Sequence, residues 1–372
     1  MWAISKLFWK QKEADKPDYF AKLPTDVLQK IVDEADSNDK LVYQHLSRNF
    51  NKCVKNSPLI FKLLKMTIAK LRVVIELDDG KNVRTRIFEF HKKGHVREDP
   101  SKSWFEIWKG GYRTAAAYWF VSIFRNENVI IEKLEFAVDF KFKYKSDDLV
   151  ELLLCYSHPI YIYRHFAIDR ESIFNGLNHF LPLINQNKCV KHLLVSMEIN
   201  EDDLMKLLVH LKPRVLETIT LLHERQGGIL WDSMRMDRIV ETDQWKEAKN
   251  YTGHRKVCNT PFEKWSHLEM VEITLSTKNV KMVEIMKTLL QNPRFHYCTI
   301  YFVHTAIFED IDSFMEQFNT LRCYANRGMI GTLPSGKDIF VYYNNYRLVM
   351  CMVDSPQFSR LFLTTNDDMI QI

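Results

Sequence analysis

The sequence predicts a mixed α/β protein in which a small helical unit is followed by a solenoid of strand–helix repeats. Apolar residues recur at helical spacing between residues 23 and 54. From about residue 129, strand-like and helix-like runs alternate with a nearly constant period. The chain has only 11 glycines in 372 residues, and no Gly-rich turn leads from a strand into a helix. That composition favours the solenoid over a doubly wound sheet, the competing architecture for such an alternation.

Composition indicates a globular protein with two packed regions, since 46% of the residues are apolar and 13% are aromatic. The first twenty residues lack the order of a signal peptide, and no window approaches the roughly 18 apolar residues of a membrane span. The seven cysteines are scattered and never spaced as CxxC. We therefore expect reduced thiols and a cytoplasmic or nuclear location, without membrane contact.

The helical unit spans Leu23 to Val54. Pro24 suits a first helical position because its φ is fixed and it has no amide hydrogen to leave unpaired. Val27, Leu28, Ile31 and Val32 then fall on one helical face. Turn-forming residues follow at 36–40, and a second helical pattern begins after them. Helices in roughly forty residues cannot bury all their apolar surface against each other, so we expect some of it to contact the rest of the chain or a partner.

This segment resembles an F-box, with the pattern LPxDVxxxI, an acidic turn and a Leu-led helix that runs into LSRxF. The resemblance implies binding to the Skp-type adaptor of a cullin ubiquitin ligase. Ala35 departs from the pattern, which usually has Leu there. The residues that the resemblance assigns to adaptor binding are Leu23, Pro24, Val27, Leu28, Ile31, Leu41, Leu46, Ser47 and Phe50.

Positive charge is concentrated in the first third of the chain. Residues 1–128 contain 24 basic and 16 acidic residues, whereas the remainder contains 28 and 31. No acidic residue lies between Asp39 and Glu76, a stretch that holds eight Lys and Arg from Lys40 to Arg72. Such a stretch favours an acidic protein partner or nucleic acid, or is a solvated surface. A nucleic-acid-associated regulator is therefore an alternative function, although we rank nucleic acid as a less favoured partner.

Predicted strands begin near residues 131, 161, 190, 215, 268 and 297. Most intervals are 25–30 residues, and the one of 53 is close to two such steps. One strand and one helix per unit of this length is typical of leucine-rich-repeat-like solenoids, although the strict LxxLxLxxN signature is missing. We expect four regions: the F-box-like unit at 20–62, a connecting hairpin and helix at 63–128, the repeat domain at 129–325, and a C-terminal hairpin that caps it at 326–372.

Local patterns predict the elements within these regions. Residues 57–70 are expected to continue as a basic helix, and Asp79-Gly80 between two alternating runs predicts a hairpin. Helices of the repeat domain are expected at 146–157, 170–184, 200–211 and 234–249, with Asn200 and the acidic residues after it at the start of one of them.

The segment from Met236 to Phe302 resembles the FTH domain of nematode F-box proteins. Its most recognisable part is Glu241 followed by the string QWKxAK at residues 244–249. Together the two resemblances identify the chain as similar to the nematode F-box A family. We expect Trp245 to be a core residue of its helix.

The sequence contains no convincing catalytic or metal motif. Residues 331–338 satisfy GxxxxGK, but Asp338 stands where a phosphate-binding loop needs Ser or Thr, and a strand follows instead of a helix. His254, Cys258 and His267 lack the paired spacing of closed zinc sites. We therefore predict a non-enzyme without a cofactor or metal.

The predicted function is that of a substrate-recognition adaptor in a Skp–cullin–F-box type ubiquitin ligase. Its partners would be a Skp-type adaptor, a cullin ligase reached through that adaptor, and a protein substrate. A protein-binding scaffold with an inactive F-box is a second alternative, which Ala35 keeps open.

Overall fold

The computed structural model describes residues 23–44, 46–69, 72–89, 95–97, 105–107, 111–124, 126–139, 177, 181–183, 187–197, 199–222, 232–258, 261–275, 282–303, 311–318, 321–323, 328–344 and 346–358. The strand predicted at 160–168, the helix predicted at 146–157 and most of the helix predicted at 170–184 lie outside these residues. The mixed α/β class is confirmed.

Helices occupy the N-terminal region and the connections between strands. They are α1 Thr25–Glu34, α2 Ser37–Tyr43, α3 Arg48–Asn56, α4 Gly111–Ile123, α5 Glu201–Leu208, α6 Asp243–Lys246, α7 Met282–Leu290 and α8 Ile311–Glu316. Short 3-10 helices lie at Leu181–Leu183, Ile239–Glu241 and Phe262–Trp265.

Fourteen of the described strands form one sheet. Its order is β13-β14-β15-β16-β12-β11-β10-β8-β7-β6-β1-β2-β3, and β9 pairs with β10 beside this path. The bounds are β1 Leu59–Ala69, β2 Arg72–Asp78, β3 Val83–Glu89, β6 Val129–Asp139, β7 Cys189–Ser196, β8 Thr218–Leu222, β9 Asp232–Met234, β10 Asn250–Cys258, β11 Met270–Leu275, β12 Tyr297–Phe302, β13 Leu321–Cys323, β14 Gly328–Thr332, β15 Asp338–Asn344 and β16 Arg347–Met352. A separate hairpin pairs β4 His95–Arg97 with β5 Phe105–Ile107.

The centre of the sheet is parallel and follows the chain from β1 through β6, β7, β8, β10 and β11 to β12. A doubly wound sheet has a point near its middle where the strand order reverses. The order of these seven strands has no such reversal. When the seven strands are aligned by their pairing, each shows buried residues with the spacing LxxLxL. These are Phe61, Leu64 and Met66; Ile131, Leu134 and Phe136; Val190, Leu193 and Val195; Leu216, Ile219 and Leu221; Ala248, Tyr251 and Gly253; Leu268, Val271 and Ile273; and Phe295, Cys298 and Ile300.

One prediction about this sheet was wrong. Residues 57–70 were expected to continue as a helix, but Leu59–Ala69 forms β1. The strand lies between β2, which is antiparallel to it, and β6, which is parallel. Both sets of its backbone hydrogen-bonding groups are therefore satisfied by neighbours distant in sequence. Leu64, Met66 and Ile68 are buried at every second position, as a strand requires.

The hairpin of β2 and β3 was predicted correctly from Asp79-Gly80. Gly80 has φ +88°, a conformation that L side chains rarely adopt, and the Asp79 carboxylate accepts hydrogen bonds from the amides of Lys81 and Asn82. Burial by itself would raise the pKa of Asp79, but these hydrogen bonds stabilise the carboxylate and hold the pKa below its ordinary value.

Strand β10 was not predicted, and it explains the long interval in the repeat. It lies between β8 and β11 and divides the 53-residue gap into two steps. The helix predicted over residues 234–249 is reduced to a 3-10 turn and the four residues of α6, because the chain must then turn to enter β10.

The C-terminal region extends the sheet with antiparallel strands. β16 pairs with β12, and β15, β14 and β13 follow in order. The predicted hairpin around Tyr346 is thereby confirmed. The GxxxxGK segment forms the turn between β14 and β15, with Gly336 at φ +79°. A strand follows this loop, as predicted, which is the wrong context for a phosphate-binding loop.

Charged residues of alternating sign form a row across six of the seven parallel strands. Each lies one position after the first buried residue of its LxxLxL spacing. Glu217 lies at its centre, 3.0 Å from the ammonium of Lys249 and 3.6 Å from that of Lys191. These bonds, chiefly the one from Lys249, hold the pKa of Glu217 below its ordinary value. We call this the charge row, and its members are Lys62, Glu132, Lys191, Glu217, Lys249 and Glu269.

Substitution Glu217→Lys should lower the free energy of unfolding by about 1–2 kcal/mol, because it replaces two attractive cross-strand pairs by like charges. Urea denaturation measures the change. Glu263→Lys is the matched control, because Glu263 is exposed and lies outside the charge row. The substitution makes the same change of charge. Equal stability losses in both variants would contradict a specific contribution from the charge row.

Candidate functional site

Helix α1 presents one apolar face to the core and a second one to solvent. Pro24 occupies its N-cap position with φ −57°, and Leu28 and Val32 are fully buried. Val27 and Ile31, one turn apart, are each 38% exposed. Apolar residues at i, i+1, i+4 and i+5 cover more of the helix circumference than one contact with the core can bury.

Helix α2 is fixed to the rest of the protein by polar contacts. The Asp36 carboxylate caps its N-terminus by accepting a hydrogen bond from the amide of Asp39, at 2.7 Å. The Ser37 hydroxyl accepts a bond from the amide of Ile60, and Arg84 donates to the carbonyl of Asn38. Beyond these contacts, Val42 is 45% exposed.

Helix α3 begins at the LSRxF sequence. The Ser47 hydroxyl accepts a hydrogen bond from the amide of Phe50, so Ser47 is an N-cap. The Phe50 side chain is buried with its ring 5.4 Å from that of Tyr43. Leu46, just before the cap, is 43% exposed.

The structure divides the nine residues predicted to bind an adaptor into three groups. Pro24, Val27, Ile31 and Leu46 are exposed; Leu23, Leu41 and Ser47 are partly buried; Leu28 and Phe50 lie in the core. Val42 was not in the predicted set, and the signal that could have found it is the adjacent pair Leu41-Val42, of which only one side chain can face inward. The exposed residues Pro24, Val27, Ile31, Val42 and Leu46 are called the apolar helical surface below.

Exposed apolar side chains are concentrated in the helical unit. Nine large hydrophobic side chains in the described residues are at least 38% exposed, and four of them lie between residues 27 and 46. Isolated exposed hydrophobic residues are normal, but a cluster of them usually marks a contact site. The helical unit therefore has an apolar surface that its own chain does not cover in the described structure.

The basic stretch does not form one continuous surface. Lys40 is buried, and its ammonium donates to the carbonyl of Pro58. Lys65 forms an ion pair with Glu135 at 2.9 Å. The exposed basic residues of α3 are Arg48, Lys52 and Lys55, which share one helical face.

A chain of buried polar contacts joins the helical unit to the parallel part of the sheet. The side-chain amide of Asn126 donates to the carbonyl of Val54 in α3, at 3.1 Å. The ammonium of Lys188, a residue only 2% exposed, donates to the carbonyl of Asn126, at 3.1 Å. Burial lowers the pKa of Lys188. The helical unit and the sheet also share one hydrophobic core, so the unit is not an independently packed domain.

Three aromatic rings pack against one another at the start of β10. Trp245, Trp265 and Tyr251 are each 1% exposed, and their ring centroids are 5.0–5.1 Å apart. The indole N–H of Trp245 donates to the carbonyl of Lys264, at 3.0 Å. Gln244, the preceding residue, donates from its side-chain amide to the carbonyl of Leu211. The prediction that Trp245 is a core residue is confirmed.

Residues 171–320 match the FTH domain. This segment of the chain is therefore similar to FTH domains. The string QWKxAK belongs to this domain's core, because Gln244, Trp245 and Ala248 are buried, while Lys246 pairs with Glu241 and Lys249 with Glu217. No curated protein matches the chain significantly.

Three histidines of the matched segment bear on how its stability should depend on pH. Nε2 of His267 lies 2.9 Å from the carbonyl oxygen of Trp245, a contact that requires Nε2 to carry the hydrogen. Nδ1 of His210 is buried without a hydrogen-bond partner in the described structure. Burial lowers the pKa of both side chains, and that of His192, below the ordinary value of 6.5.

We expect the melting temperature to be lower at pH 5.5 than at pH 7.5. Between the lowered pKa of each folded-state histidine and 6.5, the unfolded chain binds more protons, so stability falls as the pH falls through that window. His267→Gln, which keeps a donor for the Trp245 carbonyl, should reduce this dependence in differential scanning fluorimetry. An unchanged pH dependence in His267→Gln would show that this histidine does not contribute.

The described residues were also compared with the requirements of a metal site and of a membrane-spanning helix. They contain no group of three His, Cys, Asp or Glu side chains placed to hold a metal ion. His267 contacts Trp245, and the side chains of His254 and Cys258 lie outside the described structure. Among the described helices, none is both long and apolar enough to span a membrane.

Proposed function

We propose that this protein is a substrate-recognition adaptor of a Skp–cullin–F-box type ubiquitin ligase, of the nematode F-box A type. Its helical unit would act as the F-box. The apolar helical surface carries the proposal, because it is a cluster of exposed apolar side chains on capped helices whose inner faces are already packed. FTH domains are associated with F-box proteins, which supports the same assignment.

The proposed contacts are narrower than those implied by the F-box pattern. Val27, Ile31, Val42 and Leu46 would touch the Skp-type adaptor. Leu28 and Phe50 would support them from the core, and Ser47 would fix the start of α3. Ala35 ends α1 as its C-cap in an extended conformation, so its small side chain need not prevent formation of the surface.

The FTH domain would hold the substrate as part of a leucine-rich-repeat-like solenoid. Seven parallel strands in chain order, each with buried residues at LxxLxL spacing, support this architecture. Such solenoids bind other proteins on an extended open face of the sheet. The protein would then contribute proximity and orientation, while its partner enzymes carry out the ubiquitin transfer, in the cytoplasm or nucleus.

Titrations of the full-length chain at 50 mM and 200 mM salt test the proposal against the nucleic-acid alternative. A Skp-type adaptor bound through apolar contacts should keep nearly the same affinity at both concentrations. If the chain instead bound duplex DNA through phosphate contacts, its affinity for the DNA would fall steeply over the same range of salt. If the folded chain bound DNA in a salt-sensitive way and did not bind the adaptor, the result would favour a nucleic-acid-associated regulator. If the chain bound neither the adaptor nor DNA, the remaining hypothesis would be a protein-binding scaffold with an inactive F-box.

A further inference from the structure

An apolar stripe lies along the edge of the sheet at which β1, β6, β7 and β8 begin. Ile60 pairs with Ile130, and Ile130 pairs with Cys189, in the parallel register. Val215 occupies the same register position just before β8. Ile60 is 52% exposed and Ile130 is 43% exposed, while Cys189 and Val215 are partly exposed. We call these four residues the apolar stripe.

The first four members of the charge row lie beside this stripe, two positions further along each of the same four chain segments. They are Lys62, Glu132, Lys191 and Glu217. One buried residue separates stripe from row in every segment, so both project from the same side of the sheet. Glu217 is paired with Lys191 and Lys249. Lys62 and Glu132 are exposed, and within the described part of the chain neither forms an ion pair.

The order of these four charges is self-complementary. From β1 to β8 the signs run plus, minus, plus, minus, so the reversed order places a charge of the other sign opposite each one. A two-fold axis that runs parallel to the strands, between β6 and β7, brings a second copy face to face in that reversed order. Glu132 then faces Lys191 of the second copy, and Lys62 faces Glu217 of the second copy.

The same rotation matches the apolar stripe with itself. It places Ile130 on Cys189 of the second copy and Ile60 on Val215 of the second copy. We propose that this edge of the sheet binds a second copy of the chain and makes the protein a symmetric dimer. One symmetry operation satisfies both the charges and the apolar residues, and that agreement is the reason to choose a second copy over an unrelated protein.

The two sets of residues contribute differently to this dimer. Burial of the apolar stripe supplies affinity, and the alternating charges fix the register and exclude other alignments. The stripe is short, so the dimer is expected to be weak, with a dissociation constant in the micromolar range. The inference goes beyond the adaptor function and does not depend on it.

Sedimentation velocity of the full-length chain over a concentration series tests the inference. The wild type should change from monomer to dimer between about 1 and 100 μM. Ile130→Asp should weaken dimerisation by at least about tenfold, because it places a carboxylate in the apolar contact of both copies. Tyr346→Asp is the matched control, since it adds a charge at an exposed residue between β15 and β16. It should dimerise as the wild type does.

A mixing experiment distinguishes a contact between copies from an effect within one chain. Glu132→Lys alone, and Lys191→Glu alone, each place like charges at both symmetry-related contacts, so each variant should dimerise at least about tenfold more weakly than the wild type. In a mixture of the two variants, both contacts of a mixed pair join a Lys to a Glu. The mixture should therefore form dimers at concentrations at which each variant alone is monomeric.

Three results would overturn the inference: a wild type that stays monomeric throughout the series, equal dimerisation by wild type and Ile130→Asp, or a mixture that remains monomeric. Circular dichroism checks that each variant is folded, and all three substitutions alter exposed residues. Ile31→Asp should dimerise as the wild type does, so failure of the dimer and failure of adaptor binding are distinguishable.

Discussion

Trp245→Ala is expected to lower the free energy of unfolding by about 3–5 kcal/mol, the range for removing a large aromatic side chain from a core. Trp245 is 1% exposed and contacts the rings of Trp265 and Tyr251, so its removal leaves a cavity between two residues that are themselves buried. The substitution also leaves the carbonyl of Lys264 without the indole donor. Urea denaturation followed by tryptophan fluorescence and circular dichroism measures the effect.

Tyr346→Ala provides the matched control, because Tyr346 is an aromatic residue that is 58% exposed in the turn between β15 and β16. Its loss should change stability by no more than about 0.5 kcal/mol, as for most surface substitutions. Similar losses in Trp245→Ala and Tyr346→Ala would show that the aromatic cluster does not organise the FTH domain.

Ile31→Asp is expected to weaken binding of a Skp-type adaptor by at least about 100-fold, equivalent to about 2.7 kcal/mol. The substitution would place a carboxylate in an apolar contact, where burying an unpaired charge is costly. The free protein should fold normally, since Ile31 points to solvent and Asp is tolerated on an exposed helical position. Isothermal titration of wild type and variant measures the difference.

Val209→Asp controls for the general effect of adding a charge to an exposed apolar site. Val209 is 40% exposed and follows α5, in a different region of the fold. It should leave adaptor binding unchanged. Equal affinities for wild type and Ile31→Asp, with both proteins folded, would exclude the apolar helical surface as the adaptor contact.

Patterns within a short segment predicted local structure well. The periodicity of residues 23–54 predicted helices there, and Asp79-Gly80 predicted the β2–β3 hairpin. Helix α5 was indicated by Asn200, whose side chain caps it by accepting a hydrogen bond from the amide of Asp203. Each of these depends on interactions between residues close together in the chain.

Features that depend on distant pairing could not be predicted. The sequence of β1 fits a helix as well as a strand. It forms a strand because it pairs with β2 on one side and with β6 on the other. Strand β10 carries too few apolar residues to show a strand pattern by itself, yet it pairs with β8 and β11. The charge row likewise appears only when the register of neighbouring strands is known, because its residues are far apart in sequence.

The central claim is that the apolar helical surface binds a Skp-type adaptor. Size-exclusion chromatography with light scattering, applied to the full-length chain mixed with such an adaptor, tests it most directly. The full-length chain is needed because the helical unit shares its core with the sheet. The account predicts a stable one-to-one complex that forms at 200 mM salt and is lost in Ile31→Asp. A folded wild-type chain that elutes apart from the adaptor would contradict it.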